Sequence, residues 1–383
     1  MGAKGLDSIR VGSYSGYNGD AVLEFLSDVD HRSMGSMYVG HAYGNGKVVL
    51  GAGSVSVTGR GLALGCSGGG RYAHNAAKSG GVGTLVVTGG VLTVGYQAVN
   101  EGLLTGLRVG DASSVDASIA DNYVPWRGYY LQDGGTVTNK GNCCVGGQRT
   151  IGYFRQTGGT FVHTCQSYPY YPFFVGIRGG TGEVHFDGGV ATIKGDVYAG
   201  GIFTNVIAHS ATATNKLGEL VYRLADYGWD VDVHYGTGLF SVSNGTVALL
   251  KNLNLGWDGT GIVERVGSAG SFTVAGNVMM SNTTAIASAS ILRFVLDANG
   301  IAPIQVGGSL TTTPGSRIEV DVSAYTGRRG KHALLTASAI NGSFADVEII
   351  SADGGPKVAG AEVTVESSGL YLTIPSGTVL IFR

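Results

Sequence analysis

One short pattern recurs along this chain and limits what it can become: a glycine closing a small turn, followed by a polar, an apolar and again a polar residue. Gly53, Gly90, Gly135, Gly159, Gly189, Gly245, Gly270 and Gly308 each open such a segment. The second residue after them is Val55, Leu92, Val137, Phe161, Ala191, Val247, Phe272 or Leu310, apolar in every copy. The flanking first and third positions are each Ser or Thr in six of the eight copies, which is the alternation of a strand with one buried face. The fourth residue continues the inward row in Val57, Val94, Ile193, Leu249 and Val274.

A second short strand precedes each turn. Its buried position lies five residues before the glycine, at Val48, Leu85, Tyr130, Phe154, Val184 and Phe240. Many units then close on an apolar-glycine pair: Val39-Gly40, Leu64-Gly65, Val94-Gly95, Val109-Gly110, Val145-Gly146, Val175-Gly176 and Leu255-Gly256. Strand, turn, strand and a further corner describe a polygon, not a hairpin. The shortest glycine intervals, 24 and 25 residues, set the length of one coil, and longer intervals hold a loop or a degenerate coil. An antiparallel sandwich would also alternate, but it would not repeat one turn signature at coil length. The expectation is an all-β, right-handed parallel β-helix, or β-solenoid, with equivalent residues stacked about 4.8 Å apart.

Composition agrees with this reading. The chain of 383 residues carries 67 glycines and 7 prolines, so collagen is excluded, and 43% hydrophobic residues exclude a disordered linker. A formal charge of −2 supplies no field to gather nucleic acid or an anionic membrane. No apolar run reaches the roughly 20 residues of a membrane span, and Met1 to Arg10 lacks the apolar core of a secretory signal.

The segments GTLVVTGGVLTVG (83–95) and YFRQTGGTFVHT (153–164) resemble the strand repeats of autotransporter passenger domains and related secreted bacterial surface proteins, the autotransporter-associated β-strand repeats. The stretch from Ile291 to Tyr325 looks like the closing region that often follows such repeats. The resemblance implies a β-helix at the cell exterior and carries no catalytic residues over. No translocating barrel follows before Ile381-Phe382-Arg383, so autotransport itself is not expected.

The expected organisation is an N-terminal cap and first coil (1–45), a solenoid (46–201), a helix-containing insertion (202–238), a solenoid continuation (239–325) and a C-terminal β cap (326–383). In the insertion, Leu217, Leu220, Val221 and Leu224 have helical spacing, with Asn215 and Gly228 placed to cap. This helix either packs on the solenoid flank or docks another subunit. The C-terminal segment alternates in Ala361–Val365 and Leu370–Ile374 and predicts an antiparallel cap.

Chemistry has few candidates. Asp230, Asp232 and His234 would share one face of a strand, as a cation or acid-base site or simply as a solvent-facing edge. Tyr168, Tyr170, Tyr171, Phe173 and Phe174 form an aromatic loop that Trp126 would extend, a ligand or interface surface unless the rings fold back over the flank. Cys144 and Cys165 lie slightly less than one coil apart and are candidates for a disulfide or a buried thiol ladder, with Cys143 then facing outward. No cofactor, metal or nucleic acid is expected. The functional expectation is an extracellular structural or adhesive solenoid that acts through its elongated shape and through self-association, end to end as a filament or as a homo-oligomer, or surface contacts. A polysaccharide-binding or polysaccharide-cleaving β-helix is the alternative.

Overall fold

The computed structural model describes residues 9–12, 19–27, 30–41, 43–66, 80–95, 106–110, 125–147, 150–164, 172–177, 179–201, 236–256, 259–281, 289–351 and 360–375. Every regular element among them is a β-strand. The chain is a parallel β-helix whose coils have three faces.

The first face is an eleven-stranded parallel sheet, one strand per coil, running from Asp20–Phe25 and Asn45–Leu50 to Arg317–Asp321 and Asp346–Ile350. The other two faces are parallel ladders that join into one 21-stranded sheet, because Asp30–His41 and Ser54–Cys66 run across both. The second face takes the four-residue strands that follow the glycine turn, such as Val91–Val94 and Thr136–Asn139. The third face takes strands such as Gly106–Val109, Asn142–Val145 and Phe173–Ile177.

The predicted inward rows stack as columns. Val48, Leu85, Tyr130, Phe154, Val184, Phe240 and Val263 are successive partners on the first face. Val55, Leu92, Val137, Phe161, Ala191, Val247 and Phe272 are successive partners on the second. One contiguous core results, with Tyr130 stacked on Phe154 at 4.2 Å and Phe240 on Phe272 at 5.7 Å between ring centroids. Val184 pairs directly with Phe240, so the longest interval holds an insertion and not an extra coil.

Two glycine columns make the corners. After the first face the turn is three residues in most coils, and Gly53, Gly90, Gly135, Gly159, Gly189 and Gly270 have φ between 66° and 77°. The third corner closes on Gly40, Gly65, Gly110, Gly146, Gly176, Gly200 and Gly256, also with positive φ. There a side chain has no room, since a Cβ on Gly146 would lie 2.1 Å from the Thr181 carbonyl oxygen of the next coil.

Gly245 and Gly308 also stand in turns between strands, without a positive φ. The segment after Gly308 lies on the third face, where Leu310 pairs with Val278, and the second-face partner of Phe272 is Ile304. The reason is a longer connection at residues 296–303, which shifts the register by one face. Val94-Gly95 closes the second corner, not the third.

Polar residues also enter the interior at corners. Gln132, Gln156 and Arg265 point inward at the end of first-face strands and donate to turn carbonyls. Arg265, fully buried, reaches the carbonyls of Val242, Ser243, Ala269, Gly270 and Ala302, crossing three coils. Asn139 and His163 take the place that Val94 and Ile193 fill in other coils. Asn139 donates to the carbonyls of Gly141 and Asn142, and His163 Nε2 lies 2.9 Å from the Gly141 carbonyl.

At the C-terminus the hairpin Glu362–Glu366/Gly369–Ile374 lies antiparallel on Gly330–Thr336 and closes the second face, as the alternation predicts. At the other end Ile9–Val11 pairs on the third face, and Asp20–Phe25 forms the first strand of the first face. The helix expected within 202–238 lies outside the described residues.

Candidate functional site

Asp230, Asp232, His234, Tyr168, Tyr170, Tyr171 and Cys165 lie outside the described residues. The described members of the aromatic group are not a surface. Phe173 is a core residue packed edge-on against Phe154, Phe161 and His163, while Phe174 and Trp126 are 3% and 4% exposed. The strand Phe173–Ile177 explains this, since it continues the third-face ladder from Cys143 and Cys144. Cys143 is the inward cysteine, correcting the expected orientation, and Cys144 stands on the outer side between Arg108 and Phe174. Full burial raises the Cys143 thiol well above its ordinary pKa, so it behaves as an apolar core group.

The three faces differ in what they present. On the third face even the outer side chains Ala63, Arg108, Cys144 and Phe174 are buried. Segments 67–79, 96–105, 111–124, 165–171, 202–235 and 282–288 all adjoin strands of this face in the chain. Between Ser54 and Val274 the strands of the second face turn out small uncharged residues. The first face alone carries a continuous array of aromatic and ionic side chains, and it is the candidate site.

That array follows from register. Arg127–Gln132, Ile151–Gln156 and Thr181–Phe186 lie side by side, so Tyr129 pairs with Tyr153 and Tyr153 with Glu183, while Arg155 pairs with His185. Alternation turns these side chains outward as Tyr130, Phe154 and Val184 turn in. The rings of Tyr129 and Tyr153 are 6.3 Å apart, and Tyr153 and His185 are 5.3 Å apart. Thr84 precedes Tyr129 in the column, leaving one face of the Tyr129 ring beside a small side chain.

Ionic groups frame the rings. Arg155 Nε donates to Asp187 at 2.7 Å, and Ser243 donates to the other Asp187 oxygen at 2.9 Å. His185 Nε2 lies 3.4 Å from Glu183 Oε2. Further along the same face Arg293 bridges Glu264 at 3.5 Å and Glu319 at 2.7 Å. Partial desolvation raises the Tyr153 pKa, and its hydroxyl stays neutral as a hydrogen-bond donor and acceptor. The cations are therefore matched by carboxylates, and the strip offers ring surface with paired donors and acceptors.

Sequence reading missed this strip because Tyr129 and Tyr153 lie in separate strands, each beside an aromatic residue that turns inward. Their separation of 24 residues, one coil length, is the signal that joins them. Among the described residues no three His, Cys, Asp or Glu are grouped to hold a metal ion, and no helix is long and apolar enough to cross a membrane. Comparison of the chain with family models, curated proteins and solved structures finds no match.

Proposed function

We propose that the protein is an extracellular structural and adhesive β-solenoid that acts through its rigid shape, its surface contacts and self-association. The observation supporting this reading is the division of labour among the faces. One uninterrupted core fixes the stack, the longest insertion adjoins the third face, and two broad faces stay regular over many coils. Such a body is a rigid rod segment about 50 Å long at about 4.8 Å per coil. Labelled protein should bind bacterial or matrix-coated surfaces, resist protease in its coils and appear elongated by small-angle scattering. A globular scattering profile without surface retention would refute the proposal.

The Tyr129–Tyr153–His185 strip favours a second reading, polysaccharide binding. Aromatic rings pack on the apolar faces of sugars, and paired carboxylates and guanidinium groups bond their hydroxyls. Pull-down on insoluble polysaccharides tests it: Tyr129→Ala should lower retention at least fivefold with the melting temperature unchanged. Equal retention by the variant removes this reading, and release of soluble sugar would establish cleavage.

A further inference from the structure

The second face has an unusual outer surface for a solvated sheet. In the seven coils from Ser54 to Val274, its outward positions are Ser54 and Ser56, Val91 and Thr93, Thr136 and Thr138, Thr160 and Val162, Val190 and Thr192, Thr246 and Ala248, Ser271 and Thr273. None of these is charged. Over the same coils the first face turns out Lys47, Arg127, Arg155, Glu183 and Glu264. Solubility alone would place charges on both.

The side chains are short and mostly β-branched, in two straight columns on in-register parallel strands. Val91 and Val190, the first residues of their strands, are 44% and 46% exposed. Straight columns of Ser, Thr, Val and Ala are the surface that two stacked sheets interdigitate in a dry zipper, with sheets about 10 Å apart. Lys140 and Lys194 stand just past the strands at the second corner, and the uncharged columns between the corners meet their own copy without repulsion, as a two-fold interface requires.

We propose that the second face packs against the same face of a second copy of this chain, forming a side-by-side dimer. This rests on the self-association in the function proposed above and assigns it a surface. Seven strands at about 4.8 Å by four residues at about 3.3 Å give roughly 450 Å² per copy in projection. The pair buries on the order of 900 Å², near the lower limit for a specific interface, so the dimer is reversible and concentration-dependent. The hairpin Glu362–Glu366/Gly369–Ile374 closes the end of this face, favouring lateral over end-to-end association there.

Sedimentation equilibrium of the full chain, from micromolar to near-millimolar protein, tests the proposal. Wild type should pass from monomer to dimer. Thr138→Arg should weaken dimerisation at least tenfold, while Thr237→Arg, the same charge on the first face, should leave it unchanged. Val190→Lys repeats the test at an exposed position should Thr138→Arg alter the circular dichroism. A wild type monomeric throughout, an undiminished dimer in the second-face variants, or equal weakening by Thr237→Arg each overturns it. Surface retention of the monomer would leave the adhesive reading standing, so the two failures are distinguishable.

Discussion

Replacing Gly146 by alanine isolates the contact on which coil stacking depends. Gly146 has φ of 70°, and a Cβ there would lie 2.1 Å from the Thr181 oxygen and 2.3 Å from its carbon. Ordinary contact begins at 3.4 Å, so the next coil must retreat by 3.4 − 2.1 = 1.3 Å. The hydrogen bonds that hold the next coil at this corner are Ile177 N to Gly146 O at 3.0 Å and Thr181 N to Thr150 O at 2.8 Å. Stretching by that amount takes such bonds beyond useful range, at about 1 kcal/mol each, or about 2 kcal/mol in all. The left-handed backbone adds about 1–2 kcal/mol for a residue with a Cβ.

Gly146→Ala is therefore expected to destabilise by about 3–4 kcal/mol. Gly360→Ala is the control: its φ is 79°, but its Cβ would meet only Pro375 Cγ at 3.1 Å, a contact that a small side-chain movement relieves. That variant should lose only the backbone contribution of about 1–2 kcal/mol. Urea titration compares the two, and because coils contact only their neighbours, amide exchange locates the effect. Protection should fall between Ile151 and Gly182 and persist between Ala289 and Val320. A Gly146→Ala variant within about 1 kcal/mol of Gly360→Ala would refute the stacking argument.

Arg265→Met should lower stability by about 2–4 kcal/mol, because it orphans five turn carbonyls while removing a buried charge that only partly offsets that loss. Arg265→Lys, with a compact ammonium in place of the fork, should restore less than half of the melting temperature lost. Stability should also fall on acidification: desolvation holds His163 at about 4, and burial with the nearby Arg10 charge holds His41 at about 4, against 6.5 unfolded. Above pH 6.5 neither state takes up these protons; between 6.5 and about 4 only the unfolded chain does, so each histidine removes about 1.4 kcal/mol per pH unit, levelling off below about 4. Urea midpoints across this range check the slope, and His163→Leu should reduce it by about half if the two histidines contribute equally.

The columns were legible because each depends on one repeated local rule. A residue two places after a turn glycine faces inward whichever coil it belongs to, so Val55 and Phe272 were found without knowing what stacks on them. Gly308 shows where this rule stops. The segment Gly308-Ser309-Leu310-Thr311 alternates like the others and buries Leu310, yet it belongs to a different face. Alternation fixes which side of a strand is inside; the choice of face depends on turn length and on the strand hydrogen-bonded in the next coil. Cys143 and Cys144 were ambiguous for a related reason, since two identical neighbours carry no alternation to read.

Polarity misleads most at corners. A polar residue in a strand ordinarily signals the outer side, but where the chain bends, carbonyls leave the ladders and need donors inside. Gln132, Gln156, Asn139 and Arg265 meet that need, so they are buried because they are polar. Aromatic residues mislead in the opposite way. The described rings of the dense run ending in Phe173-Phe174 are buried, while the half-buried outward rings of the candidate strip lie one coil apart in separate strands. In a solenoid, surface neighbours are separated by a coil and not by one or two residues, so clustering in sequence and clustering in space are different quantities. Reading Tyr129 with Tyr153, and then with Glu183 one coil further, recovers the strip; the same reading joins Thr138 to Val162 and reveals the uncharged face. The coil length is thus the information needed to pass from fold to surface, and an insertion such as 202–235 conceals it by separating Val184 from Phe240, its partner in the next coil.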